Sequence, residues 1–111
     1  MTEPDSSAVA SLLKLDACFE HRARFAIAVL LAEHGELSFA RFKEWLGMTD
    51  GNLGAQLRKL EDAGYVRLKR EFVARKPTTF YSLSAVGRRA LERHLEALQG
   101  AISRVPTNFA R

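Results

Sequence analysis

The 111-residue chain is predicted to be mainly α with one small β-hairpin, an α+β domain. Three observations carry that expectation. Between Ser38 and Leu60, two short segments with apolar residues at helical spacing are each opened by a hydroxyl residue and are separated by Gly47. Directly after them, Val66, Leu68 and Phe72 alternate with Arg67, Lys69 and Glu71, the period-two pattern of a strand with one wet face. Phe80-Tyr81-Ser82-Leu83 then reads as a returning strand, after a turn signal at Lys76-Pro77-Thr78. Two helices across a tight turn followed by a hairpin describe a winged helix-turn-helix, here with additional N- and C-terminal helices.

Each element has a local cause. Residues 1–7 are polar and read as frayed; Ser7 or Ser6 can cap a short helix carrying Val9, Leu12 and Leu13. Asp16 can cap a longer helix through His34, with Phe19, Ala23, Ile27, Leu30 and Leu31 inward and Gly35 as its C-terminal stop. Glu36-Leu37-Ser38 has the length of a small edge strand. Ser38 caps the helix Phe39 to Leu46, which turns Phe39, Phe42 and either Trp45 or Leu46 inward. Thr49 caps the next, whose Leu53, Leu57 and Leu60 fall at i, i+4 and i+7, and Gly64 ends it. The hairpin spans about 65–83, although Arg70 falls on its apolar side. Ser84 caps a last helix with Leu91, Leu95, Leu98 and Ile102 on one stripe. The expected division is an extension at 1–14, a winged helix-turn-helix at 15–84, and a C-terminal helix and tail at 85–111.

One domain is all that this length supports. Residues 1–57 carry five Lys/Arg against eight Asp/Glu, a balance of −3, and residues 58–111 carry twelve against five, a balance of +7. A clustered basic field suits a polyanion, because displacing counterions from phosphates is the main sequence-independent source of affinity. The same charges also suit a solvated basic face. The longest apolar run, Phe25 to Ala32, is too short to span a membrane, and a cytoplasmic location is expected. A single cysteine, Cys18, excludes an internal disulfide and a cysteine-cluster metal site, and leaves a redox role for that residue open.

The helix from Thr49 has the composition of a groove reader. With Leu53 as the inward direction, Gly51, Ala55, Arg58 and Lys59 point away, and Asn52 and Gln56 lie on the flank. The small outward residues allow close approach to a double helix. Asn52 and Gln56 can pair with adenine in the major groove, and Thr49 with the free N–H groups of the first turn suits a phosphate. Arg58 and Lys59 are placed for backbone contacts. On the hairpin, Arg67 and Lys69 share the wet face and Arg75 and Lys76 sit near the tip, within reach of flanking phosphates or a narrow minor groove. A charged edge hairpin also guards against strand-to-strand aggregation, so position after the helix pair decides between the readings.

Gly47-Met48-Thr49-Asp50-Gly51-Asn52-Leu53, Leu57-Arg58-Lys59-Leu60-Glu61-Asp62-Ala63-Gly64-Tyr65-Val66, Lys76-Pro77 and Gly87-Arg88 together resemble small single-domain winged-helix DNA-binding transcriptional regulators. That group is related to the multiple-antibiotic-resistance and arsenic-repressor regulators, and the likeness runs from about Leu15 to Leu98. The resemblance implies a homodimer on double-stranded DNA, with the helix at about 49–63 in the major groove and the hairpin as wing. Family members pair through their terminal helices, which here assigns the dimer interface to Val9, Leu12, Leu13, Leu91, Leu95, Leu98 and Ile102.

His21, His34 and His94 are scattered, and no nucleophile-base set or nucleotide-binding glycine loop is found, so no enzyme, cofactor or metal site is expected. The expected function is a sequence-specific, homodimeric repressor. No pocket for a small ligand is evident, and the space between the terminal helices and the helix pair is where an unknown small-molecule effector could sit. The alternative is a winged-helix adapter that uses the same surface for protein and does not bind DNA.

Overall fold

In the computed structural model of the chain, the described backbone runs from Ser6 to Val105 and the described side chains from Val9 to Val105. The fraying expected of residues 1–5 and the Ser6 or Ser7 side-chain cap lie outside the described residues, whereas the backbone of Ser6 and Ser7, expected to be frayed, is helical. Helix α1 (Ser6–Leu13) is followed by a 3-10 turn (Ala17–Phe19), α2 (Arg22–His34) and strand β1 (Glu36–Ser38). Then come α3 (Phe39–Leu46), α4 (Asp50–Asp62), the hairpin β2 (Val66–Val73) and β3 (Lys76–Leu83), and α5 (Ala85–Ile102). The sheet is antiparallel in the order β1-β3-β2, so the three-residue β1 is an edge strand, as expected.

The caps act where the sequence placed them. Ser38, Thr49 and Ser84 each accept a hydrogen bond from the N–H three residues on, and Gly35, Gly47 and Gly64 end their helices with positive φ, which costs a residue without a Cβ little. The core they frame is one cluster. Ile27 and Leu31 of α2, Phe42 of α3, and Leu53 and Leu60 of α4 are fully buried, against Val66, Tyr81 and Leu83 of the sheet. Each such side chain contributes on the order of 1.5–3 kcal/mol by leaving water. Leu46, and not Trp45, is the α3 residue that packs against this cluster.

Two local expectations are corrected. Asp16 does not open the long helix: its Oδ1 accepts from the Cys18 N–H at 2.8 Å and starts the 3-10 turn, while His21 caps α2 through Nδ1. The break arises because Asp16 is also held from afar. Its Oδ2 accepts from the Tyr65 hydroxyl at 2.6 Å, and its N–H donates to His94 Nδ1 at 2.9 Å. Burial and that hydrogen bond to a carboxylate push the Tyr65 phenol up to about 12. The hairpin turn is likewise not at Lys76-Pro77-Thr78. Val73 pairs with Lys76, and the two turn residues are Ala74 and Arg75, with φ of 51° and 68°. Positive φ at both central positions matches the twist of the flanking strands, so the hairpin closes there without asparagine or glycine.

Helix α5 is bound to the root of the hairpin. Ser84 donates through Oγ to the Gly64 carbonyl at 2.6 Å, and a Cβ at Gly87 would collide with the Tyr65 carbonyl. Its buried side is Gly87, Ala90, Leu91, His94 and Ala97.

Candidate nucleic-acid interface

Thr49 starts α4 by accepting from the Asn52 N–H at 3.2 Å. The N–H groups of Asp50 and Gly51 precede the first intrahelical donor, Leu53, whose N–H reaches the Thr49 carbonyl at 2.9 Å, and they point out of the helix end. Leu53, Leu57 and Leu60 anchor the inner side, so Gly51, Ala55, Arg58 and Lys59 are exposed on the outer one. A Cβ built on Gly51 or Gly54 would meet nothing within 4 Å. No neighbour in the fold therefore calls for glycine at either position, although each costs a helix about 1 kcal/mol relative to alanine. Asp50, the acidic residue of the first turn, is engaged by Lys43 of α3 at 2.8 Å, which ties the two helices across their turn.

Gln56 departs from its expected place. It is 8% exposed, and its Oε1 accepts from Arg24 Nη1 at 2.7 Å while its Nε2 donates to Asn52 Oδ1 at 3.4 Å. The buried side of α4 is wider than its leucine stripe, because α2 approaches the Asn52–Gln56 flank and supplies a partner for the amide. Asn52 itself is exposed beside that flank.

On the hairpin, Arg67, Lys69, Arg75 and Lys76 are all exposed. Lys69 is nonetheless committed. Its Nζ lies 3.1 Å from Glu36 and 2.8 Å from Glu71, and those hydrogen bonds hold its pKa above the ordinary lysine value. Among the described residues, Arg58, Lys59, Arg67, Arg75 and Lys76 enter no ion pair. Arg70, which sequence reasoning did not assign to the site, sits opposite Thr79 and lines a groove of about 640 Å³ between the hairpin and α4. Arg58, Gly54, Glu61 and Asp62 line the same groove from the helix. The break in alternation at Arg70 was the available signal: a charged residue on the core-facing side of a strand that has run past its core. Phe72 is next on that side and is 79% exposed.

The terminal helices pack on each other, with Gly100 brought against Ser11, and they leave Val9, Leu12, Leu13, Leu95 and Ile102 exposed. Leu98 is half-buried. Leu91, grouped with these by its spacing, is instead 2% exposed and belongs to the core cluster. The first half of α5 lies on the domain, so the upper part of one stripe is core and the lower part is surface. Cys18 is half-buried on the 3-10 turn, and burial raises its thiol pKa, which keeps it protonated. Among the described residues, no group of three or more His, Cys, Asp or Glu is placed to hold a metal ion, and no helix is long and apolar enough to cross a membrane.

Comparison with known proteins agrees with this fold. An uncharacterised protein of Methanocaldococcus jannaschii, MJ0432, is 34% identical over 82 residues, covering 73% of this chain and 89% of that protein. The structure of a transcriptional regulator homologue from Pyrococcus horikoshii superposes with a TM-score of 0.77 at 24% identity, over 87% of this chain and 95% of that one. ZitR of Lactococcus lactis, solved as a cysteine-to-serine mutant in complex with DNA, shares the fold with a TM-score of 0.56 at 20% identity, over 74% of this chain and 55% of that one. Both likenesses concern the fold alone. Residues 23–102 match the family described as the winged helix DNA-binding domain, and the chain belongs to that family.

Proposed function

We propose that this chain is a transcriptional regulator that binds double-stranded DNA as a homodimer and represses by occupying its operator. The observation that carries the reading is the bare outer face of α4. Gly51 and Gly54 face open space, with Arg58 and Lys59 beside them and Arg70 across the groove. Glycines that nothing in the fold requires are explained by a duplex backbone that must come close. In this arrangement Thr49, Arg58 and Lys59 hold phosphates, Asn52 faces base edges, and Arg67, Arg75 and Lys76 carry the wing contact, joined by Arg70. Gln56 acts behind Asn52, and Lys69 braces the wing against β1.

The exposed apolar residues of α1 and α5 supply the dimer face. Two α4 helices related by a two-fold axis would then lie about 34 Å apart, one turn of B-DNA. ZitR, whose complex with DNA shares this fold, is consistent with the reading.

The test pairs stability with binding. Gly54→Ala is expected to raise the stability of the free protein by about 0.5–1 kcal/mol and to weaken retention of duplex DNA in a salt-controlled titration. A variant that is stabilised and binds DNA as before would remove the support for close approach. Leu13→Glu, which places a charge where a leucine is 80% exposed, is expected to yield folded monomers in analytical ultracentrifugation, with an unchanged circular dichroism spectrum. Failure of the wild-type protein to shift random duplex at low salt would return the choice to a protein-binding adapter.

A further inference from the structure

The hydrogen-bond chain Arg24–Gln56–Asn52 has a direction, and the direction has a consequence for base reading. A guanidinium carries donors only, so the Gln56 atom 2.7 Å from Arg24 Nη1 must be the carbonyl oxygen, Oε1. Arg24 is itself pinned, its Nε donating to the Cys18 carbonyl at 2.6 Å. The other end of the Gln56 amide, the donor Nε2, then faces Asn52, and a donor must meet the acceptor Oδ1. Gln56 is 8% exposed, so water is not free to substitute for either partner. Asn52 is thereby left with its Nδ2, which carries two N–H donors, turned to the outside.

We infer that Arg24 and Gln56 are positioning residues that make Asn52 a one-way donor, so that its position in the operator reads guanine and rejects adenine. This rests on the DNA-binding reading above and refines it. Pairing with adenine needs an amide oxygen to accept from N6 while the nitrogen donates to N7. Here the oxygen is turned inward. Guanine offers N7 and O6, two acceptors side by side, and Asn52 Nδ2 can serve both.

The test is selection from a random duplex pool with the wild type and four variants. Asn52→Ala identifies the contacted position as the one whose base preference flattens. The wild type is expected to favour guanine there by roughly tenfold over adenine. Gln56→Glu still accepts from Arg24 but has no proton to give, so the Asn52 amide turns over, its oxygen faces the groove, and the preference moves to a base presenting an amino group, adenine or cytosine. Arg24→Lys, which keeps a donor on Gln56, retains guanine, while Arg24→Met lets Gln56 turn and levels guanine with adenine. A merely structural role would weaken every operator position alike and leave the preferred base unchanged. If Gln56→Glu does not fold, the contrast between Arg24→Lys and Arg24→Met decides the question. A wild type that enriches no sequence overturns the DNA-binding reading and this inference together. A wild type that enriches an operator with adenine at the Asn52 position, or with guanine that persists in both Gln56→Glu and Arg24→Met, overturns the inference alone and leaves DNA binding standing.

Discussion

Helix α4 and the hairpin, the two arms of the candidate interface, are held in place by different physics. Every turn of α4 sends an apolar residue inward, Leu53, Leu57 and Leu60 being at most 2% exposed, and its start is capped by Thr49. The hairpin begins in the core at Val66 and leaves it within a few residues, so that its outer half is held by the backbone ladder and by the Lys69 ion pairs. Its tip has two non-glycine residues at positive φ. The helix is therefore a fixed element whose position fails only when the domain fails. The wing is an arm whose root is part of the core and whose tip can be altered separately.

The largest expected effect breaks the helix side of the comparison. Leu53→Ala removes a side chain with no solvent exposure and should destabilise the whole domain by about 2–5 kcal/mol, with α4 and the hairpin root unfolding in one urea transition. Separate transitions for the two arms would contradict a shared core. A smaller change sharpens the wing side. Left-handed backbone costs a non-glycine residue about 1–2 kcal/mol, and glycine returns part of that as unfolded-chain entropy. Ala74→Gly, at φ 51°, should therefore stabilise by about 0.5–1 kcal/mol, seen as slower hydrogen exchange at the hairpin tip with α4 unchanged. Faster exchange there would show that the turn is not strained.

The smallest effect concerns the root. Burial holds the His94 pKa below its ordinary value of 6.5, against a weaker upward pull from Asp16, and Nδ1 accepts from the Asp16 N–H, which requires the neutral ring. A depressed histidine means that the unfolded chain takes up the proton first. The stability it confers is thus complete above about pH 6.5 and is lost as pH falls below that value toward the folded pKa. Melting temperatures between pH 7.5 and 5.5 should fall for the wild type and fall less for His94→Gln. Equal slopes would remove His94 from the account.

What could be read in advance was whatever a few neighbouring residues decide. Ser38, Thr49 and Ser84 cap helices through N–H groups three residues away, and the leucine spacing of α4 and the alternation of β2 are properties of one segment. Fold class and the outward place of Gly51 on α4 followed from these. The hairpin turn was misplaced because proline drew it to Lys76-Pro77, whereas strand pairing fixed it at Ala74-Arg75.

The remaining features depend on partners that the chain brings together from far apart. Asp16 starts a short turn instead of the long helix because Tyr65 and His94 hold it. Leu91 and Leu95 share a stripe, and only the length over which α5 lies on the domain makes one core and the other surface. Gln56 looks like a base reader until Arg24, 32 residues earlier, takes its oxygen and turns it into the support for Asn52. Local hydrogen bonds and periodicity are settled within a few residues, so the sequence by itself determines them. A polar side chain's partner is settled by which helix packs beside it, and only the tertiary structure decides that.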